Sequence, residues 1–254
     1  MGDSTAIAEN LQRVRERIRR ACLSCGRNPE EVRLLLATKT VPPERIQAAI
    51  DAGETLLGEN RVQELRQKYP LLKGQPIEWH FIGHLQTNKV KEVIQYVTLI
   101  HSVDRLKLAQ VLHEQLIKAN KSMDILVQVN TSYEPSKFGV PPEEALTLIE
   151  QLAGFDTLRV KGLMTIGKFS ADPAEVRKCF RLLREIRDEV AQKNLPHVDL
   201  QILSMGMSGD LEVAIEEGAT LARVGTAIFG ARKYPDSAYW NESLARNHER
   251  GKRS

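Results

Sequence analysis

Lys39 is the side chain in this sequence that is best placed for covalent chemistry. It follows four consecutive apolar residues, Leu34 to Ala37, and Pro42-Pro43 comes shortly after it. A short apolar run of this kind is typical of a strand buried on both faces, as in parallel sheets. Lys39 is then predicted at the C-terminal end of the strand, where poor solvation disfavours the ammonium form and makes the amine nucleophilic. A lone lysine more often caps a strand and points at water, so the prediction depends on residues farther along the chain.

Two segments rich in glycine and hydroxyl groups lie toward the other end of the sequence. The first runs from Ser204 to Asp210 and the second from Arg223 to Thr226. Glycines let backbone N–H groups approach a ligand closely, and Ser208 and Thr226 add hydroxyl donors. One such segment is a weak signal. Two of them, after the last two strands of an α/β barrel, predict a phosphate site.

The elements that must position these residues alternate regularly. From Arg33 to Val224, eight apolar runs of strand length are each followed by a helical pattern or a helix start. This alternation predicts an α/β fold, a single (β/α)8 TIM barrel of parallel strands with right-handed crossovers. An open doubly wound sheet is the alternative, but it rarely has eight strands without a second domain.

No change of composition marks a domain boundary, so we expect a single domain over residues 1–254. It comprises an extra N-terminal helix over 5–25, the barrel over about 31–235 and a frayed tail over 236–254. The helix is predicted from apolar residues at three- and four-residue steps, and it is expected to pack outside the barrel.

In a TIM barrel the active site lies at the C-terminal ends of the strands. The polar residues predicted there are Lys39, Glu59, Asn60, His84, His101, Asn130, Thr165, Ser208, Arg223, Gly225 and Thr226. A lysine nucleophile facing a phosphate site suggests a phosphorylated aldehyde held as a Schiff base, and pyridoxal 5′-phosphate (PLP) fits this description. An arginine such as Arg223 at the pyridine nitrogen, in place of a carboxylate, leaves that nitrogen unprotonated and weakens the electron sink.

The composition excludes several other classes of protein. The chain is 42% hydrophobic and 27% charged, with a net charge of +3, which is typical of a soluble globular protein. The basic runs Arg13 to Arg20 and Arg246 to Arg253 are interpreted as solvated surfaces, and no nucleic acid partner is expected. Cys22 and Cys25 form one Cys-x-x-Cys pair, but no second Cys or His pair lies near it in the sequence, so it is a weak signal for zinc or redox chemistry. The acidic residues Asp3, Glu9 and Glu16 and the lack of an apolar core segment argue against a signal peptide. No apolar run is long enough for a membrane span, so we expect a cytoplasmic protein.

Seven motifs occur in order along the chain: Ala37 to Thr40, Gly58 to Glu64, His80 to Gln86, Ser136 to Gly139, Gly162 to Ile166, Ser204 to Asp210 and Arg223 to Thr226. In these motifs, over roughly residues 7–235, the chain closely resembles the pyridoxal phosphate homeostasis protein family (YggS/PROSC-like proteins). That family is a single-domain, PLP-binding barrel similar to the N-terminal domain of alanine racemase.

The resemblance implies a set of cofactor-binding residues: Lys39, Asn60, His84, Ser208, Arg223, Gly225 and Thr226. Lys39 would form the Schiff base with PLP, and Arg223 would face the pyridine nitrogen. The hydroxyls and glycine of the last two loops would hold the phosphate, while Asn60 and His84 would lie near the ring. Two positions depart from the family. Val41 replaces a second lysine, and Arg61 replaces a tyrosine at the rim of the pocket.

The role that the resemblance implies is PLP (vitamin B6) homeostasis and amino/keto acid balance without a dedicated reaction. The alternative is a PLP-dependent, racemase-like enzyme. Alanine racemase takes its second base, a tyrosine, from a further domain for which this chain has no room, and nothing in the sequence aims Tyr133 inward. Without that domain we expect a monomer. Besides PLP itself, the candidate partners are PLP-requiring apoenzymes or a regulatory protein.

Overall fold

The structure is a computed structural model, and it describes residues 2–170 and 172–231. The predicted frayed tail, 236–254, lies outside the described residues. Within them, eight strands pair in sequence order as a closed parallel barrel, β1 (Arg33–Ala37), β2 (Leu56–Glu59), β3 (Glu78–Phe81), β4 (Leu99–Val103), β5 (Met123–Gln128), β6 (Leu158–Met164), β7 (Val198–Ser204) and β8 (Leu221–Val224). The predicted (β/α)8 barrel is therefore confirmed.

The helices of the described residues precede, connect and follow the strands: α1 (Gly2–Ser24), α2 (Pro43–Asp51), α3 (Val62–Leu71), α4 (Val90–Val93), α5 (Leu106–Ala119), α6 (Ala145–Leu152), α7 (Pro173–Ala191), α8 (Leu211–Glu216) and α9 (Thr226–Phe229). Short 3-10 turns occupy Pro29–Glu31, Thr87–Lys89 and Pro142–Glu144. No helix in this part of the chain has the length and the apolar character needed to cross a membrane.

The N-terminal helix α1 packs outside the barrel, as predicted, against α2, α8 and α9. Its apolar face is buried, and its members are Ile7, Leu11, Val14, Ile18, Ala21 and Cys22. On the polar side of α1, Arg15 pairs with Glu54, which follows α2 in the sequence, and Arg17 pairs with Glu212 of α8. The helix is thus held against α2, α8 and α9 by both apolar packing and ion pairs.

Strand β4 begins two residues later than the sequence predicts. The apolar pattern placed it over Val97 to His101, but the Val97 N–H donates to Val93 O and holds Val97 in the turn that ends α4. The strand starts at Leu99 as a result. The strand continues to Val103, so His101 lies in its middle and not at its C-terminal end.

The barrel closes where β8 pairs with β1. Leu35 is in register with Arg223, and Leu36 with Val224. The ends of these two strands are consequently neighbours in space although they are almost two hundred residues apart in the sequence. This closure brings the segment after β1, with Lys39, next to the segment after β8.

Candidate active site

A cavity of about 290 Å³ opens at the C-terminal ends of the strands. All seven residues predicted as cofactor ligands line it: Lys39, Asn60, His84, Ser208, Arg223, Gly225 and Thr226. The sequence did not indicate several further lining residues, among them Phe169 and Val176. The structure thus brings the predicted set together, and their role as ligands stays a prediction.

Lys39 lies in a tight turn that follows β1. The strand ends at Ala37, and the Val41 N–H donates to Thr38 O at 2.9 Å, which closes the turn around Lys39 and Thr40. The lysine is only 7% exposed. The sequence predicted Lys39 at the strand end itself, but it lies two residues beyond the observed end at Ala37, on the side where β1 adjoins β8.

The loops after β7 and β8 meet through the hydroxyl of Ser208. This oxygen accepts hydrogen bonds from Thr226 Oγ1 at 3.1 Å and from the backbone N–H of Ala227 at 3.2 Å. Within the first loop, the Met207 N–H donates to Asp210 Oδ1 at 2.6 Å. The two segments that the sequence singled out for phosphate therefore form one continuous wall of the cavity.

Helix α1 braces this wall from behind. Arg17 makes a two-pronged ion pair with Glu212, with distances of 2.6 and 2.8 Å, and its Nη2 also donates to Ser208 O at 3.1 Å. Bidentate arginine–carboxylate pairs hold a fixed geometry. The role of α1 in fixing the Ser208 loop could not be predicted, because the partners are 191 residues apart in the sequence.

Arg223 presents a buried positive charge to the cavity. Its Nη1 donates to Ser204 Oγ at 2.7 Å and its Nη2 to Thr165 O at 2.8 Å, so the orientation of the guanidinium is fixed by β7 and by the residue after β6. Burial lowers the pKa of Arg223 to about 10, and the charge of Asp210 acts in the opposite direction. The side chain stays charged near neutral pH.

A chain of hydrogen bonds leads from Arg223 through the barrel interior to the opposite end of the strands. Ser204 Oγ lies 3.0 Å from His101 Nδ1, and His101 Nε2 lies 2.9 Å from His80 Nδ1. His80 Nε2 then lies 2.9 Å from Glu78 Oε1 at the base of β3. The interior of a TIM barrel is ordinarily filled by branched apolar side chains, so this polar chain is a departure from the fold's usual core.

The carboxylate at its base determines how the chain is protonated. Hydrogen bonding to His80 is the main cause that lowers the pKa of Glu78 to about 2, so Glu78 can only accept. Burial lowers the pKa of both histidines, which are therefore neutral. His80 must then donate to Glu78, His101 to His80 and Ser204 to His101, which leaves the serine lone pairs for Arg223.

Asn60 and His84 lie on the other side of the cavity, after β2 and β3. Their loops touch so closely that a Cβ at Gly83 would lie 2.1 Å from Asn60 O. The His84 ring stacks on Phe138, with ring centroids 3.8 Å apart and planes 15° apart. Burial lowers the pKa of His84, opposed by Asp104. Among the described residues, none makes a hydrogen bond to His84 Nδ1.

Four residues predicted at strand ends do not line the cavity. Glu59 is fully buried and accepts hydrogen bonds from Thr38 Oγ1 and Lys68 Nζ. His101 is enclosed in the barrel by the hydrogen bonds described above. Asn130 is a turn residue, since its Nδ2 donates to Glu134 O and Lys137 O within its own loop. Thr165 is fully buried and bonded to Val129 O and Thr131, although its carbonyl holds Arg223. Tyr133 is 63% exposed and does not line the cavity.

The donor set suits a phosphorylated aromatic aldehyde. An amine, a guanidinium and a pair of hydroxyls line one cavity, and the His84 imidazole, stacked on Phe138, forms another part of its wall. An aldehyde requires the amine, a phosphate requires the hydroxyl and N–H donors, and a ring nitrogen with a free lone pair accepts from arginine. The residues present therefore fit PLP.

The barrel and this cavity define the class of the protein, and the comparisons with known proteins agree. Residues 2–233 match the family model for the N-terminal domain of alanine racemase. Alanine racemase from Clostridium difficile shares this fold, with a TM-score of 0.72 over 94% of this chain and 59% of that chain, at 14% identity.

The chain belongs to the pyridoxal phosphate homeostasis protein family. It is 50% identical to the pyridoxal phosphate homeostasis protein of Aquifex aeolicus over 226 residues, which cover 89% of this chain and 98% of that protein. The structure of PipY from Synechococcus elongatus with PLP bound matches with a TM-score of 0.78 and 34% identity, over 88% of this chain and the whole of that chain. The family resemblance drawn from the seven motifs is confirmed.

Proposed function

We propose that this protein binds PLP through Lys39 and serves PLP homeostasis and amino/keto acid balance without a dedicated reaction of its own. The observation that carries the proposal is the meeting of Lys39, Arg223 and the Ser208–Thr226 pair in one cavity. Two findings on relatives support it: the homeostasis role named for the Aquifex aeolicus protein and the PLP bound to PipY.

The residues would divide the work of binding among them. Lys39 would hold the aldehyde covalently, and Ser208, Gly225 and Thr226 would bind the phosphate. Arg223 would donate to the pyridine nitrogen, since arginine keeps its protons at any relevant pH. PLP, when bound, supplies an electron sink for amino acid chemistry. A ring nitrogen that accepts from Arg223 makes that sink weak, which favours storage over turnover.

Replacement of Lys39 by alanine tests the binding proposal. Lys39→Ala should abolish the visible absorbance of the PLP-loaded protein and leave the far-UV circular dichroism unchanged, because a turn beyond a strand tolerates the loss of an amine. Borohydride reduction of the wild-type protein followed by peptide mass spectrometry should place the adduct on Lys39. An adduct chiefly on a different lysine rules the proposal out.

A racemase-like enzyme is the second candidate, and the barrel shared with alanine racemase favours it. The exposed Tyr133, away from the cavity, gives no second base. We therefore expect the PLP-loaded protein to exchange the α-proton of L-alanine with deuterated water at no more than the rate of free PLP. Exchange at enzyme-like rates that is lost in Lys39→Ala would establish catalysis instead.

The remaining expectations from the sequence stand as proposals. They are a single domain over residues 1–254, a cytoplasmic location and a monomeric state. PLP-requiring apoenzymes or a regulatory protein are the candidate partners. Size-exclusion chromatography with light scattering at several protein concentrations tests the monomer directly, because a mass near twice 28.6 kDa would contradict it.

A further inference from the structure

The turn that carries Lys39 has an unusual backbone. Thr40, the residue after the lysine, has φ of +63°, a left-handed conformation that is a genuine outlier for a β-branched residue. Turns with positive φ at their third residue normally place glycine or asparagine there. Such strained residues persist only where the surrounding structure determines them, so the contacts that hold Thr40 need to be identified.

Glu64 and Lys68 hold the two ends of this turn. The Thr40 N–H donates to Glu64 Oε2 at 2.7 Å, at the end that follows the lysine. At the end that precedes it, Lys68 Nζ donates to Thr38 O at 2.8 Å, and Thr38 Oγ1 donates to Glu59 Oε1 at 2.7 Å. The backbone on both sides of Lys39 is therefore tied to groups that belong to β2 and α3.

These groups form one buried ionic cluster. Lys68 Nζ lies 2.6 Å from Glu59 Oε1 and 2.7 Å from Glu64 Oε2, so its three N–H donors are matched by two carboxylates and the Thr38 carbonyl. Glu59 is fully buried, Lys68 is 6% exposed, and the Glu64 side chain, at the edge of the cluster, is 19% exposed. Glu64 and Lys68 are one helical turn apart on α3, which places both on the same face of that helix.

A buried ionic cluster of this kind is a poor way to stabilise a fold. The cost of removing charges from water often exceeds their attraction, and apolar replacements of similar volume are frequently neutral or stabilising. The cluster bonds to the backbone of Thr38 and Thr40, the residues on either side of Lys39, and there it sustains a strained conformation. Both facts point to a role in placing the lysine.

We propose that Glu64 and Lys68 are positioning residues for Lys39, which fix the Thr38–Thr40 turn so that the amine is directed into the cavity. The inference rests on the proposed function of Lys39. In that reaction the lysine ammonium gives its proton to solvent, its nitrogen bonds to the aldehyde carbon, and the aldehyde oxygen leaves as water. Glu64 and Lys68 take no part in these bonds and act only through the turn.

Two variants of Glu64 separate position from charge. Glu64→Gln keeps an oxygen that accepts from the Thr40 N–H, whereas Glu64→Leu has none. Arg66→Met is the matched control, because Arg66 lies on the same helix, is exposed and faces Glu92 across 3.6 Å. Two rates are measured on apo-protein: the growth of the visible band after mixing with PLP, and the acetylation of Lys39 by acetic anhydride relative to exposed Lys107, followed by mass spectrometry.

We expect Glu64→Leu to slow both reactions of Lys39 by at least about tenfold, since small misplacements of a reacting group cost one to two orders of magnitude in rate. Glu64→Gln should stay within about threefold of wild type, and Arg66→Met should not differ from it. A folded Glu64→Leu protein that reacts at the wild-type rate overturns the proposal, and so does a Glu64→Gln protein that is as slow as Glu64→Leu.

Lys68→Met provides a second route should Glu64→Leu fail to fold. It removes the donor to Thr38 O, and the same tenfold loss is expected, with a wild-type rate as the contrary result. The two measurements also separate this inference from the proposed function. If PLP reacts with another lysine of the wild-type protein, the proposed function fails. The acetylation rate of Lys39 still decides whether Glu64 and Lys68 position that lysine.

Discussion

The polar chain inside the barrel leads to a prediction about coupling between His80 and His101. Replacing His101 by leucine removes the partner of the Ser204 hydroxyl and of His80 Nδ1 together. Each buried polar group left without a partner costs about 1–3 kcal/mol, so the free energy of unfolding should fall by about 2–6 kcal/mol. His80→Leu leaves only His101 Nε2 without a partner within the barrel, because Glu78 keeps its bonds to Arg33 and Thr98. This variant should therefore lower the free energy of unfolding by about 1–3 kcal/mol.

The double variant should be more stable than the sum of the single effects suggests. With both histidines replaced, neither ring nitrogen of their shared bond is left unpaired, and only the Ser204 hydroxyl has lost its partner. We expect a coupling energy of at least about 1 kcal/mol, within the range measured for residues in contact. Urea unfolding of the apo-protein by linear extrapolation measures all four proteins, provided that the m-value stays constant.

A control double-mutant cycle uses a histidine that takes no part in the chain of hydrogen bonds inside the barrel. His113 is bonded to Thr157 on the outside of the barrel, and it shares no partner with His101. The effects of His113→Leu and His101→Leu should add within about 0.5 kcal/mol. If the His80 and His101 effects are equally additive, the two rings do not share a hydrogen bond and the protonation scheme derived from Glu78 is refuted.

Two further predictions concern the phosphate site and the buried cluster below Lys39. Ser208→Ala and Thr226→Ala should each weaken PLP binding by about tenfold or more, because a hydrogen bond to a charged group contributes roughly 1.5–3 kcal/mol. Titration with pyridoxal, which has no phosphate, is the comparison, and equal losses for both ligands would contradict the assignment. Burial is the main cause that raises the pKa of Glu59 from 4.5 to about 7, against the charge of Lys68 and together with that of Glu64. A carboxyl group whose pKa is raised by folding stabilises the folded state at a pH below its ordinary pKa. This contribution, on the order of 3 kcal/mol, is lost as the pH rises through about 7. Urea unfolding between pH 4.5 and 7.5 should show this loss for wild type relative to Glu59→Gln, and parallel pH profiles for the two proteins would disprove the shift.

The fold and the seven lining residues could be predicted because they depend on local patterns. The apolar run before Lys39 and the glycines near Ser208 and Thr226 are visible in single segments of sequence. A barrel then brings the segment ends together whatever their separation. Seven successive motifs further identified the family, which the comparisons confirmed.

The chain of hydrogen bonds inside the barrel could not be predicted, because it depends on the register between strands that are distant in the sequence. His101 and Ser204 are 103 residues apart, and a parallel strand buried on both faces gives no alternation to tell which side chains point inward. In addition, β4 ends two residues later than predicted, at Val103, which explains why His101 was expected at the cavity. The hydrogen bond from Lys68 to the turn that carries Lys39 could not be predicted either, since in the sequence Lys68 resembles any surface lysine of an amphipathic helix.

Closure of the barrel connects these observations. Lys39 follows β1, the first strand, and Arg223 lies on β8, the last strand. The pairing of Leu35 with Arg223 makes these two strands neighbours and so brings the two side chains together. Each is then held from a different side: the Lys39 turn by Glu64 and Lys68, and Arg223 by Ser204 and Thr165. Both supports belong to strands and helices of the closed barrel, whereas Ser208 and Thr226 belong to loops braced from outside by α1. On the proposed function, the Lys39 turn and the Arg223 guanidinium would be fixed before PLP arrives. The two loops proposed to bind its phosphate would then be the part of the site through which the affinity for PLP can be adjusted without disturbing the barrel.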